Sequence, residues 1–503
     1  MSRIVLTTLN ARYSHTSIAL RYLYANLHEI KLHAKIVDFT IKEDLNTISE
    51  KLLENNPEII GIGVYIWNAS KIEQLLKILK EKAPEVIIVL GGPEVSYTPF
   101  RINIDSADYI VQGEGEATFY NLCKHLLNKE LPKERIYKPM LLDAKNILLP
   151  YDYYSDEDIA KRRIYVEASR GCPFRCEFCL SSIDKSVRYF DEDKFLEAIE
   201  QLWSRGARDF RFIDRTFNLN ISYANKLLDF FLAKTPPYFV HFEVIPEAFP
   251  DSIRERLMKF PPASLQLEIG IQTLDKTVAK NISRPLNFKK IVENIAFLQK
   301  HTKAHLHLDL IVGLPGESLE QFGRNLDMLI SLSDSEIQIG ILKKLSGTRI
   351  NRHDEEYKMV YSNIPPYDII SNNLLDIETI NEMKRFARYW DLCYNSGNFT
   401  HTIKLIWGDK SVFESFREFS IWLYDYSGQS TVFYLDTLAE YIFTYLASIK
   451  KIESLEVANL IAQDIMKIEG RVLPKFLRNA GVYYITKKTL RQNASLKRQQ
   501  KHI

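Results

Sequence analysis

Three cysteines, Cys172, Cys176 and Cys179, fall within eight residues in the run Glu167-Ala168-Ser169-Arg170-Gly171-Cys172-Pro173-Phe174-Arg175-Cys176-Glu177-Phe178-Cys179. Their C-x3-C-x2-C spacing follows a predicted strand, so one loop can wrap three thiolates around a compact metal centre. Soft thiolates select zinc or iron–sulfur centres. A cubane cluster takes one protein thiolate per iron, so three thiolates leave one iron open to another ligand. Structural zinc is the competing reading and would want a fourth Cys or His nearby in the fold. The nearest histidines, His125 and His241, make no zinc-knuckle spacing, and Cys123 and Cys393 fall in other expected domains. The strand context favours the cluster.

Acids and glycines recur where later strands should end. Asp214 lies in Phe212-Ile213-Asp214-Arg215-Thr216-Phe217-Asn218, and Glu243 closes a β-branched run. Glu268 and Gln272 share Glu268-Ile269-Gly270-Ile271-Gln272-Thr273, and Gly313 lies in Asp309-Leu310-Ile311-Val312-Gly313-Leu314-Pro315-Gly316-Glu317. Ordinary solvated or hydrogen-bonded acids are the bland alternative for the carboxylates, and a simple turn is the alternative for the glycines.

The elements that must position these groups read as parallel α/β structure. Strands are expected at Ile164–Glu167, Asp209–Ile213, Val240–Val244, Ser264–Ile269, His305–Ile311 and Glu336–Ile341, separated by helical stretches. That alternation predicts a partial (β/α)6 barrel over residues 158–352, whose reactive groups would gather at the carboxyl ends of the strands. Upstream, residues 1–130 alternate strands Arg3–Leu9, Lys35–Asp38, Ile59–Val64, Val86–Leu90 and Tyr109–Val111 with amphipathic helices, a five-stranded flavodoxin-like (Rossmann-like) pattern. Ligands of such sheets bind at the carboxyl ends of the strands, here Asn10 to Ser14, Tyr65 to Asn68, Gly91-Gly92-Pro93 and Gly113-Glu114-Gly115-Glu116. The first turn, Leu9-Asn10-Ala11-Arg12-Tyr13-Ser14-His15, lacks the G-x-G-x-x-G of a dinucleotide site. Residues 131–157 read as a polar linker, and residues 353–503 as a mainly helical, aromatic-rich domain.

Composition narrows the class. The 503 residues contain 46% apolar and 26% charged side chains, as a folded multidomain protein does. With 66 basic against 64 acidic residues there is no globally basic surface for nucleic acid. No apolar run approaches the roughly 20 residues of a membrane span, and the N-terminus lacks a signal-peptide pattern. Five cysteines, three of them clustered, suit a metal centre in a reducing, cytoplasmic setting better than a disulfide framework.

The cysteine loop and the ordered strand-end motifs resemble the radical S-adenosylmethionine (SAM) superfamily. The resemblance implies a [4Fe–4S] cluster on Cys172, Cys176 and Cys179, with SAM at the open iron and reductive cleavage to methionine and a 5′-deoxyadenosyl radical. Phe178 matches the usual aromatic before the third cysteine. The same resemblance implies SAM contacts at Phe178, Asp214, Glu243, Glu268, Gln272 and Gly313, although Asp214 stands in place of the family's commoner glycine-glycine-glutamate form. A flavodoxin-like domain ahead of such a barrel resembles the cobalamin-binding class, and Gly91-Gly92-Pro93-Glu94 and Gly113-Glu114-Gly115-Glu116 match its loops. Cobalamin contacts are then implied at Asn10, Ser14, His15, Tyr65, Trp67, Gly91, Gly92, Glu114 and Gly115. The class's D-x-H-x-x-G ligand motif is replaced by Tyr13-Ser14-His15-Thr16-Ser17-Ile18, so only the histidine fits, and capping or packing competes with cobalt ligation there.

The helical remainder resembles an uncharacterised C-terminal domain of one subgroup, in which Trp390, Trp407 and Trp422 are either substrate-lining or core. The majority reaction of the class is methyl transfer to an unactivated carbon through methylcobalamin. Radical cyclisation or rearrangement without methyl transfer, and RNA modification, are the alternatives. A reducing partner such as flavodoxin or ferredoxin is implied, and the substrate is not. The tail from Lys487 to Ile503 carries Lys487, Lys488, Arg491, Lys497, Arg498 and Lys501 with no acid, which suits contact with nucleic acid or a solvated terminus equally.

Overall fold

The computed structural model describes residues 3–431 and 433–482. They pack as two compact units. The first runs from the N-terminus to Glu243 and takes in Lys343–Arg352 and Tyr361–Asp368. The second comprises Val244–Leu342, His353–Val360 and the chain from Ile369 on.

The first unit opens with parallel strands β1 (Ile4–Asn10), β2 (Ala34–Thr40), β3 (Ile59–Gly63), β4 (Ile87–Gly91) and β5 (Tyr109–Val111), in the spatial order β2-β1-β3-β4-β5. Side chains alternate between the two faces of a strand. Val5, Leu9, Ile60, Ile62, Ile88 and Leu90 therefore enter a core closed by helices Leu45–Leu53 and Ala69–Lys82. Ile4, Leu6, Ile59, Val89 and Val111 enter another, closed by helices Ile18–Ala25 and Glu116–Leu127. Covered on both faces, the strands read as near-continuous apolar runs, the mark of a parallel sheet. Ser17 and Asp44 cap two of these helices by accepting from the backbone N–H groups of Leu20 and Thr47, donors a helix start leaves open. A sixth strand, β6 (Ile136–Tyr137), pairs with β5. It comes from the stretch read as a linker, because two residues are too few to show a period.

The same unit continues with β7 (Ile164–Val166), an antiparallel hairpin of β8 (Ser169–Arg170) and β9 (Arg188–Tyr189), then β10 (Asp209–Phe212) and β11 (Phe239–Val244). Strands β7, β10 and β11 are parallel neighbours. Phe210 and Phe212 meet Phe231 of helix Ile221–Leu232, and Phe212 also meets Phe195 of helix Glu192–Ser204. These aromatic contacts fix β10, the parallel neighbour of β7, from whose end the β8–β9 hairpin follows.

The second unit contains β12 (Leu265–Gln272), β13 (His305–Val312) and β14 (Glu336–Ile341), again parallel. All six barrel strands expected from the sequence form, three in each unit, with no end displaced by more than three residues and Glu336–Ile341 matched at both ends. Beyond them the second unit is mainly helical, with Ile377–Trp390, Val412–Ser427, Leu435–Thr444 and Ser454–Met466 as its main helices. Trp390 and Trp407 are buried in that core, and half-buried Trp422 stacks on Tyr426 at 4.9 Å. The fully buried Asp464 accepts from Thr402 N–H and Oγ1 at 2.8 and 2.7 Å, which pins the 400–402 turn. Among the described residues no helix is long and apolar enough to cross a membrane. The basic tail from Lys487 lies outside the described residues.

Candidate functional site

The cysteine loop hangs between β8 and β9. Gly171, at φ 88°, starts it in a conformation open to glycine, and a Cβ there would collide with the Ser186 carbonyl oxygen. Cys172 N–H donates to Asp184 O at 3.0 Å and Cys179 N–H to Cys176 O at 3.1 Å. Cys172 and Cys176 are buried and Cys179 is half-buried. Burial pushes the Cys172 thiol up, and the neighbouring Cys179 and Cys176 push it further, against the opposing pull of the Phe174 backbone N–H and Arg215. A cationic centre would offset that penalty on the Cys172 thiolate, which is the chemistry an iron–sulfur core provides. Half-buried Phe178 lies on the loop. Buried Glu177 carries an ion pair to Arg352 at 2.6 Å, an anchor that no motif signalled.

Asp214, just past the end of β10, holds the root of the loop. Its carboxylate accepts from Ala168 N–H at 3.0 Å and from Ser169 Oγ at 2.6 Å. Burial outweighs those bonds and pushes its pKa up to about 7. Next to it, Arg215 donates to both oxygens of Glu243 at 2.7 and 3.0 Å. Asp214 and Glu243 thus stand on adjacent strands beside the loop, as their strand-end placement predicted.

The loop borders a cavity of about 710 Å³ within the first unit. One side is the rim of the N-terminal sheet, with Tyr65, Gly91, Gly92, Glu114 and Gly115. The other side carries Arg170, Gly171, Leu180 and Asp184 of the hairpin. The glycines make the space. A Cβ on Gly91 would meet nothing nearer than the Val111 carbonyl oxygen at 3.6 Å, so a side chain would project into open volume. Gly92 has φ 101°, and a Cβ there would stand 2.5 Å from Val64 O, so the rim turns sharply only with glycine. A flat macrocycle fits a cradle of this kind, and the three thiols fit a cubane.

Five of the nine residues read as corrinoid contacts thus line one cavity. The other four, Asn10, Ser14, His15 and Trp67, do not. Asn10 Nδ2 donates to Asp38 at 3.2 Å, and Ser14 O accepts from Arg163 N–H at 3.0 Å. Trp67 stacks on Tyr65 at 4.6 Å and donates from Nε1 to Leu9 O at 3.0 Å, so it buttresses a lining residue. His15 Nδ1 meets the Tyr165 hydroxyl at 2.5 Å, and its pKa is lowered by burial and then by Arg163, Arg12 and Arg211. No histidine lines the cavity among the described residues. Gly61 and Gly63 line it too, and their alternation along β3 was a signal the motif reading passed over.

In the second unit Gln272 ends β12 at φ 69°, where the pairing with β13 shifts register by a bulge at Gly270/Gln272. A non-glycine residue in that conformation at a bulge is a mark of functional sites. Gly313 ends β13 at φ 89°, and a Cβ there would lie 2.8 Å from Ile369 Cγ2. Glu268 pairs in register with His307, and ligand atoms of Glu268, His307 and Asp309 lie within 4.8 Å of one another. Burial pushes His307 down, but Asp309, Glu268 and Glu336 together hold it above its ordinary pKa.

Comparisons with known proteins identify the domains that carry these residues. A B12 binding domain model matches residues 4–123, a Radical SAM superfamily model residues 166–329, and a model for a protein of unknown function, DUF4080, residues 355–502. The chain is 25% identical over 317 residues to the 2-(S-pantetheinyl)-carbapenam-3-carboxylate methyltransferase of Streptantibioticus cattleyicolor, covering 56% of this chain and 46% of that one. It is 24% identical over 329 residues to the cobalamin-dependent radical SAM methyltransferase TokK of Streptomyces tokunonensis, covering 57% and 47%. The chain thus spans about half the length of these relatives. In fold it resembles the cobalamin-dependent SAM radical enzyme OxsB, solved with aqua-cobalamin and SAM, with a TM-score of 0.64, 14% identity, and coverage of 95% of this chain and 80% of that one. With a B12-binding domain, a radical SAM domain and a DUF4080 region in that order, the chain belongs to the cobalamin-binding radical SAM superfamily, in a subgroup with a helical C-terminal domain, whose cofactors are cobalamin, SAM and a [4Fe–4S] cluster.

Proposed function

We propose that this chain cleaves SAM reductively and transfers a methyl group, through cobalamin, to an unactivated carbon of its substrate. The observation that carries the reading is the single cavity shared by the glycine rim and the cysteine hairpin. When bound, the cluster supplies the electron that breaks the SAM carbon–sulfur bond, and the corrinoid supplies the methyl group. Cys172, Cys176 and Cys179 hold the cluster, and the backbone bond from Cys172 to Asp184 holds its loop. Tyr65, Gly91, Gly92, Glu114 and Gly115 seat the corrinoid directly, and Asn10, Ser14, His15 and Trp67 support that rim. Phe178, Asp214 and Glu243, beside the cysteine loop, are the SAM contacts we propose within the first unit. Confining the reactants together removes translational freedom that would otherwise oppose reaction by roughly 7–11 kcal/mol in favourable cases. Three clustered cysteines suited to an oxygen-labile centre support a reducing cytoplasmic setting and a flavodoxin- or ferredoxin-type donor as part of this proposal.

The test is anaerobic reconstitution with cobalamin, followed by reduction in the presence of methyl-labelled SAM. The protein should acquire corrinoid absorbance and form 5′-deoxyadenosine even without substrate. With substrate, label should appear in the product. An unlabelled but rearranged product would select radical cyclisation or rearrangement, and labelled RNA would identify the substrate as nucleic acid. Absence of corrinoid binding would remove the cobalamin part of the proposal, whereas 5′-deoxyadenosine without corrinoid would leave ordinary radical SAM chemistry.

A further inference from the structure

Arg170 directly precedes the cysteine loop, and its guanidinium is shared among three carboxylates. Nε reaches Glu167 at 2.9 Å, Nη1 reaches Glu114 at 3.0 Å and Nη2 reaches Glu116 at 2.8 Å. The side chain is only 11% exposed. Its planar group lies over the Tyr22 ring at 4.6 Å and the Phe190 ring at 5.5 Å, so its orientation is fixed as well as its charge. Glu114 and Glu116 belong to the glycine rim, and Glu167 to the end of β7. A second arginine makes a parallel path. Arg188, paired with Arg170 across the β8–β9 hairpin, binds both oxygens of Glu114 and reaches Asp184 Oδ2 at 3.0 Å. The Asp184 carbonyl in turn accepts the Cys172 N–H. Both paths begin at the same rim loop and converge on the first cysteine, one through Arg170-Gly171 and one through Arg188 and Asp184.

We propose that Arg170 and Arg188 clamp the rim loop Glu114–Glu116 to the cysteine loop, acting as positioning residues that set the separation between the corrinoid and the cluster. The inference rests on the proposed cofactor pair and goes beyond it by assigning the control of their spacing. A rim that seated the macrocycle without this connection would let Cys172 move relative to it. The fork geometry explains the residue type, because a lysine is a point charge and cannot hold three carboxylates in fixed directions. Removing one carboxylate's charge should therefore loosen the loop without removing a thiol or filling the cavity.

Paired cofactors can report their own spacing. Cob(II)alamin and the reduced cluster are both paramagnetic, and the relaxation of the cobalt signal by the cluster falls steeply with distance. Reconstituted unaltered protein, Glu116→Gln and Arg170→Lys should each load cobalt and iron. In both variants the relaxation enhancement should fall, or spread over a range, by about threefold or more, since reaction geometry of this kind tolerates only sub-ångström looseness. A role limited to global stability would lower loading or melting temperature yet leave the enhancement of the loaded fraction unchanged, and that result would overturn the clamp. Amide hydrogen exchange on the chain without corrinoid gives an independent reading. Glu116→Gln should speed exchange at Gly171 and Cys172 by about tenfold, although the substitution lies in the rim. Unchanged exchange there would also overturn the clamp. Failure of the unaltered protein to bind cobalamin would instead overturn the proposed function, and the exchange measurement would still decide whether the rim holds the loop.

Discussion

The two units use the same parallel strand architecture to opposite ends. In the first, the carboxyl ends of β3 and β4 bear Gly63, Gly91 and Gly92, and missing side chains create a cavity of about 710 Å³. In the second, one face of β12, β13 and β14 carries Glu268, His305, His307, Asp309 and Glu336, and charge fills the space that glycine leaves open in the first. His305 Nε2 meets Glu336 at 2.9 Å, and His307 Nδ1 lies 3.4 Å from Asp309. The difference teaches that a strand end can be shaped in two ways. It can remove atoms so that a large neutral macrocycle approaches the backbone, or it can arrange polar groups that need compensation from one another. The first leaves corrinoid binding sensitive to added volume, and the second leaves the unit sensitive to protonation.

The largest effect should separate volume from ligation within the first unit. Cys176→Ala should abolish the [4Fe–4S] cluster and leave corrinoid binding intact, because two thiolates cannot hold a centre that already lacks one protein ligand. Gly92→Val should do the reverse. Its Cβ has nowhere to go beside Val64 O, and a β-branched residue at φ 101° adds strain of about 1–3 kcal/mol. Iron and cobalt analysis of the two reconstituted variants should show iron lost in one and cobalt reduced at least about tenfold in the other, as a perturbation of about 1.4 kcal/mol would produce. Parallel loss of both metals in Gly92→Val would mean that the rim and the loop fold as one element.

Much of this was legible before any coordinates, for reasons that differ by element. The cysteine loop declares itself because its chemistry is local, with three ligands on one short segment. The sheet strands declare themselves because burial on both faces leaves unbroken apolar runs. Strand β6 was hidden because two residues carry no period. His15 and Asn10 match the rim by position, yet their side-chain partners Tyr165 and Asp38 come from elsewhere in the chain and hold those side chains, while Ser14 is tied through its backbone to Arg163. For the same reason Arg170 was read only as part of a cysteine motif. Its role depends on Glu114 and Glu116, more than fifty residues away in sequence, which no spacing rule connects to it.

Protonation should separate the units next. Each unit buries a carboxyl with a large upward shift: Asp214 in the first, raised by burial to about 7, and Glu317 in the second, raised by burial to about 8 against hydrogen bonds from Thr273 and Asn325. Their unfolded values lie near 3.9 and 4.3. The folded state therefore holds each proton more tightly than the unfolded chain does. The resulting stabilisation is complete below about pH 4 and is lost as pH rises, up to about 7 for Asp214 and about 8 for Glu317. Glu58 does not blur the window. Arg3 holds its carboxyl at about 2, so its contribution is settled well below pH 5. Melting temperature measured from pH 5 to pH 9 should fall, with each acid contributing a few kcal/mol over its range. Glu317→Gln should flatten the upper part of the slope and Asp214→Asn the lower. An unchanged slope in both variants would mean that the two acids ionise freely in the folded protein.

The smallest effect concerns the two cysteines outside the loop, one in each unit. Cys123 packs with Phe119, Leu122 and Leu126 in a sheet core, and Cys393 lies in the turn after Trp390, also fully buried. Burial pushes both thiols up, so neither is a ready thiolate for a metal. A buried free cysteine of this kind acts as a small hydrophobe. Cys123→Ala and Cys393→Ala should each cost about 1 kcal/mol, the centre of the range for single substitutions, and lower the melting temperature by roughly 2–4 °C. Iron per chain should not change. The iron content decides the question, because melting temperature responds to any lost packing whereas iron responds only to a lost ligand. Loss of iron in Cys123→Ala would bring a fourth thiolate from the N-terminal domain to the cluster, and loss in Cys393→Ala would bring one from the helical region. Either result would close the iron position that SAM is proposed to occupy, and the radical chemistry would fall with it.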